Sequence, residues 1–76
     1  MNVVQVTVKL YASFRIGRFT SMVREYPDHS TIATIARDLG IPEEYLIQLR
    51  NGCHAPLDEE VRDGDTIAFL PMLEGG

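Results

Sequence analysis

Tryptophan is absent from the chain, cysteine and lysine occur once each, and no apolar run approaches the length needed to cross a bilayer. The lone cysteine, Cys53, excludes an internal disulfide, the usual staple of a small secreted fold, and points to a reducing compartment such as the cytoplasm. The opening Met-Asn-Val-Val-Gln-Val alternates from the start, with neither a basic leader nor a continuous apolar stretch, so no signal peptide and no membrane association are expected. Basic runs are missing as well. Residues 1–38 hold five basic against three acidic side chains and residues 39–76 two against eight, which leaves the halves at +2 and -6. An acidic C-terminal half repels phosphate backbones and argues against nucleic acid as a partner, whereas it suits a basic groove on another protein.

At 76 residues there is room for one hydrophobic core, because chains this short bury only about 60% of the surface their unfolded form exposes. A multi-domain enzyme is excluded. Within that core, Val4, Val6, Val8 and Leu10 alternate with Gln5, Thr7 and Lys9, the period of a strand with one buried face. Phe19 to Tyr26 resumes with strand-forming residues after a connection containing Gly17, so the two segments read as a hairpin. The period then changes. Ile32, Ile35, Ala36 and Leu39 form one helical stripe, with Ser30 or Thr31 as N-cap and Gly40 as the stop. A helix of about ten residues is too short to stand alone and must lie on a sheet.

Leu46 to Arg50 reads as a strand running into Asn51-Gly52, the strongest two-residue hairpin signal in the chain, with Cys53-His54-Ala55 returning from it. Pro56 to Arg62 is irregular and acidic, Asp63-Gly64-Asp65 is a tight turn, and Thr66 to Leu70 is a last strand stopped by Pro71. Two strands, a helix, then three strands bury every apolar stripe as an α+β fold of the β-grasp, or ubiquitin-like, type: a mixed sheet of four to five strands with one helix across one face. The N-terminal strand is then expected to be central, which suits its Val-rich face. The expected core is Val4, Val6, Val8, Leu10, Ile32, Ile35, Ala36, Leu39, Leu46, Leu49, Ile67 and Phe69. Residues 1–71 make the domain and 72–76 a flexible C-terminal tail.

Catalytic constellations are nearly absent. His29 and His54 lie far apart, and Cys53 and His54, as strand neighbours, point to opposite faces, which gives neither a metal-ligand spacing nor an oriented base. Asp63 and Asp65 read as turn carboxylates, and their spacing does not match a calcium loop. What remains is the ending Pro71-Met72-Leu73-Glu74-Gly75-Gly76. Two terminal glycines arise by chance in roughly one chain in 200. Without Cβ atoms the tip is narrow, and the α-carboxylate is its only reactive group. An extended segment from Pro71 to Gly76 reaches at most about 20 Å, enough to enter another protein's cleft. A carboxylate is a poor acyl electrophile until ATP converts it to a mixed anhydride with AMP as leaving group, after which a sulfur nucleophile can capture the acyl carbon.

The run Asn51-Gly52, Leu57 with acids after it, Asp63-Gly64-Asp65-Thr66-Ile67-Ala68-Phe69-Leu70-Pro71 and finally Gly75-Gly76 resembles the small sulfur-carrier proteins MoaD and ThiS over nearly the whole chain. The resemblance implies a β-grasp domain with no complete active site and no bound cofactor of its own. Gly76 would be the acyl-adenylate and thiocarboxylate site, with Gly75, Glu74, Leu73, Met72, Pro71 and Phe69 as tail contacts to partners. Those partners would be an ATP- and Mg²⁺-dependent E1-like activating enzyme, a persulfide sulfur donor, and an acceptor enzyme. Phe69-Leu70-Pro71 resembles the Phe-x-Pro-Pro-Val-x-Gly-Gly ending of MoaD, which implies the large subunit of molybdopterin synthase as acceptor, in molybdenum or tungsten cofactor synthesis. Met72, Leu73 and Glu74 depart from that ending. Sulfur carriage toward the thiazole of thiamin, and a ubiquitin-like adaptor that binds by its surface, are the alternatives.

Overall fold

The computed structural model describes residues 2–72. Its elements are β1 (Val3–Leu10), a 3-10 helix (Ala12–Arg15), β2 (Ser21–Pro27), α1 (Ile32–Asp38), β3 (Leu46–Arg50), β4 (Cys53–His54) and β5 (Thr66–Pro71). They form a five-stranded sheet in the order β2-β1-β5-β3-β4, with β1 and β5 parallel and the other pairs antiparallel. This is the β-grasp expected from the sequence pattern. β1 is flanked on both sides, and β5 occupies the middle position.

Alternation in β1 turns Val4, Val6, Val8 and Leu10 toward α1, where they join Ile32, Ile35, Ala36, Ile67 and Phe69 in one buried cluster. α1 is shorter than its apolar stripe suggests. Thr31 is its N-cap, accepting from the Thr34 N–H at 3.3 Å while the Thr34 hydroxyl accepts from the Thr31 N–H at 3.4 Å. The next two orphan N–H groups, on Ile32 and Ala33, donate to the carbonyls of Glu59 and Leu57 at 3.0 and 2.8 Å. The irregular acidic segment is therefore fastened to the start of the helix, and its Val61 is buried in the core. At the other end Arg18 donates to the Leu39 and Gly40 carbonyls at 3.0 and 3.2 Å, tying the β1–β2 connection to the end of α1.

Three expectations are corrected. Leu49 is only half-buried and lies on the sheet face away from α1, because β3 pairs Gln48 with Phe69 and so turns Leu46 and Gln48 inward. Ile47 and Leu49 are as apolar as Leu46, which left the parity of this strand open to either reading. Leu39 is partly buried against the edge of the core. Pro71 does not stop β5 but is its last residue, paired with Leu46.

Candidate tail-exit site

β5 carries the chain from a locked turn at one end of the sheet to the tail at the other. At the locked end, Asp63 Oδ1 accepts from the Gln5 N–H at 2.8 Å, and the Gly64 N–H donates to the Gln5 carbonyl at 2.8 Å. Asp65, 6% exposed, accepts from Arg50 Nε at 2.7 Å, the Arg62 N–H at 2.8 Å and Asn51 Nδ2 at 3.0 Å. Asn51 Oδ1 in turn accepts from the Thr66 N–H at 2.9 Å. The Asn51-Gly52 and Asp63-Gly64-Asp65 motifs are thus one device that fixes β1, β3 and β5 in register. Burial works to raise the Asp65 carboxyl, but the hydrogen bonds from Arg50, Asn51 and Arg62 outweigh it and hold the group below the usual carboxylate range.

The exit end is built differently. In the parallel ladder the Tyr11 N–H donates to the Phe69 carbonyl at 3.2 Å, and the next N–H toward β1 would have to come from residue 71. Pro71 has none. The Tyr11 carbonyl is taken instead by the Phe14 N–H at 3.1 Å, which closes the 3-10 turn and leads β1 away from β5. On the other side the pairing continues one residue further, the Met72 N–H donating to the Tyr45 carbonyl at 2.6 Å. Among the described residues, the end of β5 is therefore hydrogen-bonded on the β3 side and not on the β1 side.

Phe69 is 0% exposed, so its ring belongs to the core and is not available to a partner. Of the other expected tail contacts, the described residues include Pro71, half-buried, and Met72, 47% exposed. Leu73, Glu74, Gly75 and Gly76 lie outside the described residues. On the face of the sheet opposite α1, the pairs Leu49–Ala68 and Ile47–Leu70 lead along β3 and β5 toward Tyr45 and Met72. This apolar strip ends at Met72, and the sequence pattern does not reveal it because an apolar residue at position 49 reads as core. The register of β3 on β5 is the signal that reveals it.

Cys53 is exposed on the edge strand β4 opposite Arg50, and His54 opposite Leu49, so the two side chains do point to opposite faces. His29 binds Glu60 at 3.0 Å through Nδ1, and that contact, with Asp28 nearby, raises its pKa. Among the described residues no helix is long and apolar enough to cross a membrane.

The ThiS family model matches residues 8–76, and the chain belongs to the ThiS family. That family membership places it among ThiS/MoaD-like β-grasp sulfur carriers. No curated protein matches the sequence closely enough to count as a relative. Among solved structures the chain is similar to small archaeal modifier protein 1 of Haloferax volcanii, at TM-score 0.77 and 21% identity over 92% of this chain and 99% of that one. It is also similar to Urm1 of Trypanosoma brucei, at TM-score 0.70 and 20% identity over 100% and 99%. A chain of the complex of subunits 1 and 2 of molybdopterin-converting factor from Helicobacter pylori gives TM-score 0.65 and 19% identity over 95% and 99%. At these identities the likeness carries the fold.

Proposed function

We propose that the protein carries sulfur as a thiocarboxylate on Gly76 and delivers it to the large subunit of a molybdopterin synthase. The observation that carries this reading is the family match running to Gly76, on a chain whose last strand lets go of β1 at Pro71 and ends in two glycines. The carboxylate oxygen attacks the α-phosphate of ATP in the activating enzyme, pyrophosphate leaves, and Gly76 becomes an acyl-adenylate. A persulfide sulfur then attacks the acyl carbon and AMP departs. Reductive cleavage of the resulting acyl disulfide by a thiol leaves the thiocarboxylate. The domain supplies no catalytic group to these steps; its part is to present the tip. Threading a narrow Gly-Gly end into a partner's site fixes an attack geometry that free solution does not.

The half-buried Ile47, Leu49 and Leu70 offer partners an apolar landing surface that leads to Met72, and apolar contact around a threaded peptide excludes water. The sequence Phe69-Leu70-Pro71 favours the molybdopterin acceptor. The ThiS family match supports thiazole synthesis as the second reading. Presenting the thiocarboxylated protein separately to a molybdopterin synthase large subunit with its pyranopterin precursor, and to a thiazole synthase, distinguishes them. Dithiolene formation in the first reaction is expected; sulfur transfer only in the second would move the protein to thiamin synthesis.

A further inference from the structure

We propose that Asn51-Gly52 is a self-modification site: when the turn lock at the head of β5 opens, the Gly52 backbone nitrogen displaces ammonia from the Asn51 side chain, and the product keeps the lock from closing again. Nothing in this step involves Gly76. A glycine after the asparagine leaves the attacking nitrogen unshielded, and the ring that closes has five members. The other asparagine of the chain, Asn2, is followed by the stiff, β-branched Val3.

Native geometry commits the Asn51 amide elsewhere. Asn51 and Gly52 are the central residues of the β3–β4 hairpin, with φ +53 and +85, the pair of positive angles that a two-residue turn of this kind requires. Both are exposed, so water and hydroxide reach them. The Asn51 side chain reaches across to β5, where Oδ1 accepts from the Thr66 N–H at 2.9 Å and Nδ2 donates to Asp65 Oδ1 at 3.0 Å. The Asn51 N–H adds a third tie, to the Thr66 carbonyl at 2.8 Å. Ring closure brings the side-chain Cγ onto the nitrogen of the next residue and breaks both side-chain bonds. A hydrogen bond to a charged group shifts such an opening equilibrium by about tenfold or more, which makes Asp65 the gate.

In the step itself hydroxide takes the Gly52 amide proton and the nitrogen lone pair bonds to Asn51 Cγ. The Cγ–Nδ2 bond breaks, and the departing nitrogen gains a proton from water and leaves as ammonia. Water then adds to one of the two carbonyl carbons of the cyclic imide. It leaves either a carboxylate side chain at position 51 or a main chain rerouted through the side-chain carbon.

Neither product restores the lock. The first puts a carboxylate oxygen where Nδ2 lies, 3.0 Å from Asp65 Oδ1, and Arg50, already bound to Asp65 at 2.7 Å and Glu59 at 3.3 Å, then faces three acids. The second adds a main-chain atom to a two-residue turn and disturbs the Arg50–Cys53 pair that closes it. The modification is thus a one-way record of opening. Asp63-Gly64 can close the same ring, but its Gly64 N–H is bound to the Gln5 carbonyl and its Oδ1 to the Gln5 N–H, both at 2.8 Å, and hydrolysis there restores the original mass.

The test incubates the full chain in mildly alkaline buffer, native and unfolded in urea, and follows deamidation by intact mass and peptide mapping. The native wild type should gain about 1 Da at position 51 at least tenfold more slowly than the unfolded chain. Asp65→Ala, checked for native fold by NMR, should react at least tenfold faster than native wild type. A second measurement needs no variant: in urea below the unfolding transition, wild-type deamidation should rise in step with hydrogen exchange of the Thr66 N–H. The modified wild type, separated by its extra negative charge, should melt about 5–10 °C lower. Equal native and unfolded rates, a wild-type rate in folded Asp65→Ala, a rate that does not follow Thr66 exchange, modification mapping to another residue, or an unchanged midpoint would each overturn the proposal.

Discussion

Asp65→Asn is the sharpest probe of how the sheet is locked. The carboxylate receives three donors, Arg50 Nε and the Arg62 N–H on one oxygen and Asn51 Nδ2 on the other. An asparagine amide can offer its oxygen to only one side and must aim its NH₂ at the remaining donors. One or two charge-assisted bonds are then lost, at about 1.5–3 kcal/mol each. Removing one partner of a fully buried pair costs about 3–5 kcal/mol, but the Arg50 side chain is 26% exposed and keeps Glu59 at 3.3 Å, so it is not stranded. The expected cost is about 2–3 kcal/mol, against a total stability of roughly 4–11 kcal/mol for a domain of this size. The thermal midpoint should fall by about 10–20 °C. Because the folded-state pKa of Asp65 is depressed, its contribution is fully present above the unfolded value of about 3.9 and disappears as pH falls through the folded value. Urea melts of the two proteins should therefore differ at neutral pH and converge in acid. Equal stability at neutral pH, or a gap that persists undiminished in strong acid, would refute the lock.

Other perturbations separate the core, the turn and the docking strip. Ile35→Ala, at a fully buried position facing the sheet, should lose about 2–5 kcal/mol in denaturant melts. Gly64 has φ +87 with nothing within 4 Å of where a Cβ would sit, so Gly64→Val should cost about 1–2 kcal/mol through the backbone alone, and an unchanged midpoint would contradict this. Leu70→Asp, at a half-buried position on the face opposite α1, should weaken binding to the activating enzyme at least tenfold by calorimetry while the fold survives.

Much of the fold was legible because two periods are unmistakable: Val4, Val6, Val8 and Leu10 can face one way only as a strand, and Ile32, Ile35, Ala36 and Leu39 only as a helix. β3 was harder. Leu46, Ile47 and Leu49 are all apolar, and the residue that turns inward between them is Gln48, 6% exposed, whose Nε2 donates to the Ala55 carbonyl at 2.7 Å. A buried glutamine held through its amide N–H, its Oε1 buried without a hydrogen-bond partner among the described residues, leaves no trace in a hydropathy pattern. The 3-10 turn at Ala12–Arg15 is no more legible, since the Tyr11 carbonyl that its Phe14 N–H caps lies opposite Pro71, far along the chain and without an N–H to compete for it. Phe69 reads from the sequence both as a core residue and as a tail contact, and alternation in β5 commits its ring to the core. The diglycine ending needed no tertiary information to stand out, because its chemistry is that of the tip itself.

The reactive group proposed for this protein is the Gly76 carboxyl. Incubation with an activating enzyme, ATP, Mg²⁺ and a persulfide donor, followed by intact-mass spectrometry, tests it most directly. The full chain should gain about 16 Da as one oxygen is exchanged for sulfur, and chains lacking Gly76 or extended beyond it should gain nothing. Equal labelling of the extended chain would place the reactive group elsewhere, with Cys53 the first residue to examine.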